Sequence, residues 1–120
     1  MTENQIQIAS SDFMHKMYPW ANAFHVPNGG KRESKIIKGS RVCLEGSRLK
    51  AMGVKKGVSD WIILEPRHGY HGALIEIKKI GGVLKPEQKV FLTHAAKSGY
   101  YACVVFGIDE FMQSVRWYLR

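Results

Sequence analysis

The chain has 120 residues, 45% hydrophobic and 23% charged, the balance of one soluble domain with a single core and no room for a second. No apolar run approaches a membrane span, and the first residues lack the basic start and continuous apolar stretch of a signal peptide. A cytoplasmic protein with no membrane partner is therefore expected. Eighteen Lys and Arg against ten Asp and Glu leave a net charge of +8, a surface that attracts polyanions, nucleic acid foremost.

Ile6, Ala9, Phe13, Met17 and Trp20 recur at helical spacing and predict an amphipathic helix over 3–18, ended by Pro19. Pro27, Asn28, Gly29 and Gly30 then demand a turn, and basic residues follow at once. Residues 40–52 predict a second helix, weakened by Gly46 and stopped by Gly53. The period then changes. VSDWIILEP and ALIEIKKI are short Val- and Ile-rich runs separated by RHGYHG, which predicts a β-hairpin with a loop of several residues. Pro86 suits the first turn of a helix over 86–97 that Gly99 stops. The apolar run YYACVVF, bounded by glycines, predicts a strand buried on both faces. Asp109 is expected to cap a last helix carrying Phe111, Met112, Val115, Tyr118 and Leu119 on one side. The predicted order is α–α–β–β–α–β–α: an α/β single domain over 1–120, a sheet flanked by helices.

Cys43 and Cys103 lie far apart and form no CxxC pair, so neither a disulfide framework nor a zinc ribbon is expected. Cys103, inside the apolar run, reads as a small buried thiol. His68 and His71 form an HxxH in a loop with nothing nearby to complete a zinc site, and read as structural or solvent-facing.

Glu76-Ile77-Lys78 is the central motif. On a strand, Glu76 and Lys78 share one face, while Ile75 and Ile77 point the other way into the core. Asp60 opens the neighbouring strand and can approach Glu76 across the ladder. Two carboxylates at one point repel unless a cation lies between them, and a few hard oxygen ligands suit Mg²⁺ or Mn²⁺ that keeps several waters. Such an ion activates water against a phosphodiester, and a lysine one position-pair away orients that water and counters transition-state charge. Taken alone, the three residues are better read as a solvent-facing salt pair and a turn cap, because the pattern is short and degenerate; the context reverses that balance.

Ordered stretches carry a resemblance across nearly the whole chain. They are Glu3-x-Gln5-Ile6-Gln7, Val26-Pro27-Asn28-Gly29-Gly30-Lys31-Arg32 and Leu49-Lys50-Ala51-Met52-Gly53-Val54-Lys55-Lys56-Gly57-Val58-Ser59-Asp60. Ile75-Glu76-Ile77-Lys78, Leu84-x-Pro86-Glu87-Gln88 and Gly99-Tyr100 follow in order. Together they resemble the VRR-NUC branch of the PD-(D/E)XK nuclease superfamily.

That resemblance implies a restriction-endonuclease-like mixed sheet. It makes Asp60 and Glu76 metal ligands, with the Ile77 carbonyl as a third and Glu3 completing the acidic cluster through water. Lys78 becomes the catalytic lysine, and Gln88 supports the site. The family's usual proline before the aspartate is Ser59 here, which bears on loop rigidity. Lys31 and Arg32, after the turn, and Lys55 and Lys56, before the aspartate, are placed to meet phosphates flanking the scissile bond. The resemblance implies a Mg²⁺- or Mn²⁺-dependent DNA endonuclease acting on four-way junctions or other branched DNA, similar to junction-resolving enzymes of phage or bacterial origin. Two cuts per junction imply a homodimer. The rivals are a restriction-type or exonucleolytic enzyme with the same site, and a DNA-binding module without catalysis. RNA remains open as a substrate, although no RNA-reading motif is present.

Overall fold

The computed structural model describes residues 1–27, 35–37, 40–42 and 44–120. The turn residues Asn28, Gly29 and Gly30, the basic pair Lys31 and Arg32, and Cys43 lie outside the described residues. Thr2 starts helix α1 (Glu3–Met17) with a capping box: its hydroxyl accepts from the Gln5 amide, and the Gln5 side chain accepts from the Thr2 amide. Ile6, Ser10, Phe13 and Met14 are the buried residues of this helix, whereas Met17 and Trp20 are more than half exposed. Ser10 takes an interior place that an apolar pattern does not flag. Its hydroxyl accepts from the Trp61 indole N–H at 3.1 Å and donates to the Gln7 carbonyl at 2.7 Å, so the buried group is satisfied.

Strands β1 (Ala23–His25), β2 (Lys35–Ile37) and β3 (Ser40–Val42) precede helix α2 (Leu44–Ala51). The predicted helix over 40–52 therefore begins four residues late, its first part being strand. Three-residue strands carry too few positions for a period of two to register. After α2 the predicted order holds: β4 (Trp61–Ile63), β5 (Ala73–Lys78), α3 (Pro86–Lys97), β6 (Tyr101–Phe106) and α4 (Ile108–Tyr118).

Four strands form a mixed sheet in the order β1-β4-β5-β6, antiparallel except for the parallel pair β5–β6; β2 and β3 pair separately. The connection β5–α3–β6 is the crossover that parallel neighbours require. Helices α1 and α4 pack together over one face, against β5 and β6. There Trp61, Ile63, Ala73, Ile75, Ile77 and Val105 meet Ile6, Phe13, Phe111, Val115 and Tyr118 in the core. Ile75 and Ile77 thus point inward as expected. Helix α3 packs against β6 and sends Gln88 to Glu76, on the opposite face.

Two expectations are corrected. The β6 run lies at the sheet's edge and only Val105 in it is fully buried, because an edge strand has a neighbour on one side alone. Cys103 is accordingly half-buried. Gly107, not Asp109, is the N-cap of α4; Asp109 and Glu110 sit in its first turn, where Glu110 accepts from the Phe106 amide at 3.3 Å. Among the described residues no helix is long and apolar enough to cross a membrane.

Candidate active site

Strand β5 is buried along its whole length between β4 and β6. Its alternation puts Glu76 and Lys78 on the face away from the core, as the motif predicts, yet neither meets solvent freely. Glu76 is 3% exposed and Lys78 6%. The solvent-facing salt pair that fits the bare motif is therefore excluded. A charged pair this deep persists only when its desolvation is offset by local partners.

The β4–β5 register pairs Trp61 with Ile75. One step further along the antiparallel ladder sets Asp60 opposite Glu76. Asp60 Oδ2 accepts from the Ile77 amide at 2.7 Å, which fixes one carboxylate oxygen. Its backbone carbonyl is held as well, accepting from the Val26 amide at 2.7 Å and from His25 Nδ1 at 3.0 Å. His25 of β1 and Val26 just after it thereby anchor Asp60, and Ser59, fully buried, sits in a segment already pinned. Gly57 makes the approach possible. Its φ of +87° suits glycine, and a Cβ there would collide with the Glu87 carbonyl at the start of α3.

Glu76 Oε1 accepts from Gln88 Nε2 at 2.8 Å and lies 3.7 Å from Lys78 Nζ. Gln88 is itself fixed, because its Oε1 accepts from the Lys85 amide at 2.8 Å in the first turn of α3. Lys78 Nζ also faces Glu3 Oε1 at 3.9 Å. Glu3 thus approaches the centre through the lysine. Among the described residues no three Asp, Glu, His or Cys side chains converge as a ready metal-ligand set.

What remains is Glu76 Oε2, the one fully buried side-chain polar atom among the described residues without a hydrogen-bond partner. Burial, reinforced by the neighbouring Asp60 charge, pushes the Glu76 carboxyl up to about 8; burial likewise raises Asp60 above the usual carboxylate range. Two desolvated carboxylates side by side demand a positive partner, either a proton or a cation. An unpaired buried oxygen beside a second carboxylate fits a hard divalent ion, and Ile77 is in the same pocket lining.

These residues floor a cavity of about 560 Å³ whose lining includes Glu3, His25, Lys56, Asp60, Glu76, Lys78 and Gln88. Lys56 stands at its edge, while Lys55 is exposed on the preceding turn outside the lining. His25 and Lys85 also line it and were not singled out by the sequence. His25 sits on a three-residue strand with no motif around it; the HVPN turn immediately after it was the only signal. His68 and His71 lie elsewhere: His68 stacks on Trp117 with ring centroids 4.2 Å apart, and His71 packs near Tyr100.

The VRR-NUC family model matches residues 1–108. A solved structure described as a VRR-NUC domain protein is similar over 99% of this chain and 88% of its own, with 28% identity and a TM-score of 0.78. No curated protein matches the chain. A matched family model over nine-tenths of the length, together with a mixed sheet that seats Asp60, Glu76 and Lys78 at one pocket, establishes that the chain belongs to the VRR-NUC family and carries its nuclease-type domain.

Proposed function

We propose that the protein is a Mg²⁺- or Mn²⁺-dependent endonuclease that hydrolyses phosphodiester bonds of branched DNA, four-way junctions among them, as a homodimer. The observation that carries the catalytic reading is the buried Glu76 carboxylate, one oxygen of which has no partner, beside the half-buried Asp60 and an ammonium group at the floor of an open pocket. A binding module has no use for so costly an arrangement.

Asp60, Glu76 and the Ile77 carbonyl would hold the metal. When bound, a divalent ion withdraws charge from the phosphate oxygens and lowers the pKa of a coordinated water. The chain's own groups do the rest. Gln88 and the Ile77 amide fix the two carboxylates from outside, so their free oxygens need no reorganisation. Lys78, held between Glu76 and Glu3, places its ammonium where a non-bridging phosphate oxygen gains charge in the transition state. Lys56 and Lys85 at the rim, with Lys55 behind them, meet flanking phosphates. Lys31 and Arg32 are assigned to the same role by their place in the family pattern.

Labelled duplex, flap and four-way-junction DNA incubated with Mg²⁺, Mn²⁺ or EDTA tests the reading. Cleavage of the branched forms with metal and none with EDTA is expected. Lys78→Ala should lower the rate by about 10²–10³-fold while DNA is still bound, as for loss of one transition-state donor. Metal-independent cleavage, or a Lys78→Ala protein of wild-type rate, overturns it.

A further inference from the structure

Between β5 and α3 the chain turns sharply at the mouth of the pocket. The Gly82 amide donates to the Lys79 carbonyl at 2.9 Å, and Gly81 sits at φ +85°, a tight turn that glycine permits. A second anchor holds the base of the turn, where the Gly107 amide donates to the Lys78 carbonyl at 2.9 Å. The turn is thus fixed directly onto the catalytic lysine. At its tip stand Ile80, 82% exposed, and Val83, 80% exposed, the two most exposed large apolar side chains among the described residues. Lys79 and Lys85 flank them.

Beside this turn runs a second cavity of about 560 Å³, walled by Val83, Lys79, Lys85 and the start of α1 at Met1 and Thr2. It shares Glu3, Lys78 and Lys85 with the catalytic pocket, so the two adjoin. A cavity adjoining a phosphodiester-cleaving centre, with lysines on its rim and branched aliphatic side chains raised on a rigid turn, has a definite chemistry. Cations take phosphates, and an aliphatic wedge takes the face of a base or the gap between two base pairs, as apolar wedges do in proteins that unstack DNA. Paired duplex offers no free base face; a branch point or flap does.

We infer that the 79–85 turn is a DNA-opening wedge: Val83, on the wall of the second cavity, holds the unpaired or unstacked nucleotide next to the scissile phosphate. Ile80, whose side chain lies beside Gly107 outside that wall, extends the apolar face, and Lys79 and Lys85 hold the nucleotide's backbone. This rests on the nuclease reading of the adjoining site and extends it to how branched DNA is selected. The wedge acts through binding, so binding can test it apart from cleavage.

The experiment uses flap and fully paired DNA of the same sequence, each with 2-aminopurine beside the cleavage position, titrated with full-length protein in EDTA. The wild-type protein should raise 2-aminopurine fluorescence on the flap and bind it more tightly than duplex. The double variant Ile80→Ser, Val83→Ser, both highly exposed and so cheap to replace, should lose the rise and cut the flap-to-duplex affinity ratio by about tenfold. Circular dichroism and thermal melting identify a misfolded variant, and Val83→Leu, which keeps the wedge apolar, should retain the signal. An unchanged ratio and signal in the double variant overturns the wedge and leaves the nuclease reading standing. No binding of either DNA by wild-type protein, in EDTA and again with Ca²⁺ in place of the catalytic ion, overturns both. A double variant whose only change is a lower oligomeric mass shows the turn to be a contact between copies, and also overturns the wedge.

Discussion

Glu76 meets two opposite demands. Its position on the central strand removes it from water, and its neighbour Asp60 adds a like charge, so its proton is held up to about pH 8 against an ordinary value of 4.5. The folded protein therefore binds this proton more tightly than the unfolded chain does. The stability it contributes is full below the unfolded value and is lost as pH rises toward the folded one. A divalent ion replaces the proton at the upper end of that window. Metal-free protein should accordingly melt at lower temperature as pH rises from about 5 to about 8, and added Mg²⁺ or Mn²⁺ should raise the melting temperature more at the higher pH. Differential scanning fluorimetry measures both. Glu76→Gln, which carries no charge, should flatten the pH dependence and abolish the metal shift; a metal shift of equal size at both pH values speaks against the carboxylate pair as the ligand. The motif placed Glu76 and Lys78 on one face because strand alternation is a two-residue rule. Their burial was not legible in it, since that depends on the partners Gln88 and Glu3, brought in from α3 and α1.

Among the elements, those with a long repeat or a strong breaker were readable and the rest were not. Helix α3 follows from Pro86 at its first position and Gly99 beyond its end, and α4 from a clean apolar stripe. Strand β1 has three residues and no alternation, yet its His25 and the Val26 that follows it fix Asp60. A strand recognised only by the partner it pairs with leaves no local mark in sequence. The same holds for Ser10, whose burial answers an indole fifty-one positions away. The loop from α2 to β4 shows how an element depends on one backbone contact. Gly57 passes so close to the Glu87 carbonyl, with φ at +87°, that any side chain strains the turn and presses on the first turn of α3, which carries Gln88 to the site. Gly57→Ala should cost about 1–3 kcal/mol in stability, the usual price of forced left-handed backbone, and should lower cleavage further than stability alone accounts for. Chemical denaturation with cleavage assays on the folded fraction measures the two effects. An alanine variant of wild-type stability and rate would show that the close approach does not position the aspartate.

At the scale of the whole molecule, charge and symmetry would decide, on the proposed function, what the protein grips and how many strands it cuts. A net charge of +8 on so small a domain would make binding to DNA salt-dependent, and Lys55 and Lys56 stand on the turn that leads into the site. Replacing both with Gln should flatten the slope of log affinity against log salt by about two units; an unflattened slope routes the DNA elsewhere. One Asp60–Glu76 pair serves one strand per encounter, whereas resolving a four-way junction takes two cuts on strands related by an approximate two-fold axis. Two copies related by C₂ symmetry supply two such sites. Of the tryptophans, Trp61 is buried in the core and bonded to Ser10, so it is removed from any interface, while Trp20 and Trp117 remain at the surface. Strand β1 ends the sheet, and the pairing of Phe24 with Ile62 puts Phe24 and Leu64 on the same face, both more than two-fifths exposed, with Trp20 close by in the chain. An apolar edge of this kind on a charged protein is where a second copy would bury most for least desolvation. Light scattering at micromolar concentration should therefore give twice the chain's 13.6 kDa, and a junction-bearing plasmid should be linearised in one encounter. Phe24→Ser with Leu64→Ser should yield a folded monomer that nicks the plasmid without linearising it. A wild-type protein that scatters as a monomer and only nicks defeats the dimer and leaves the carboxylate pair, its lysine and their chemistry untouched.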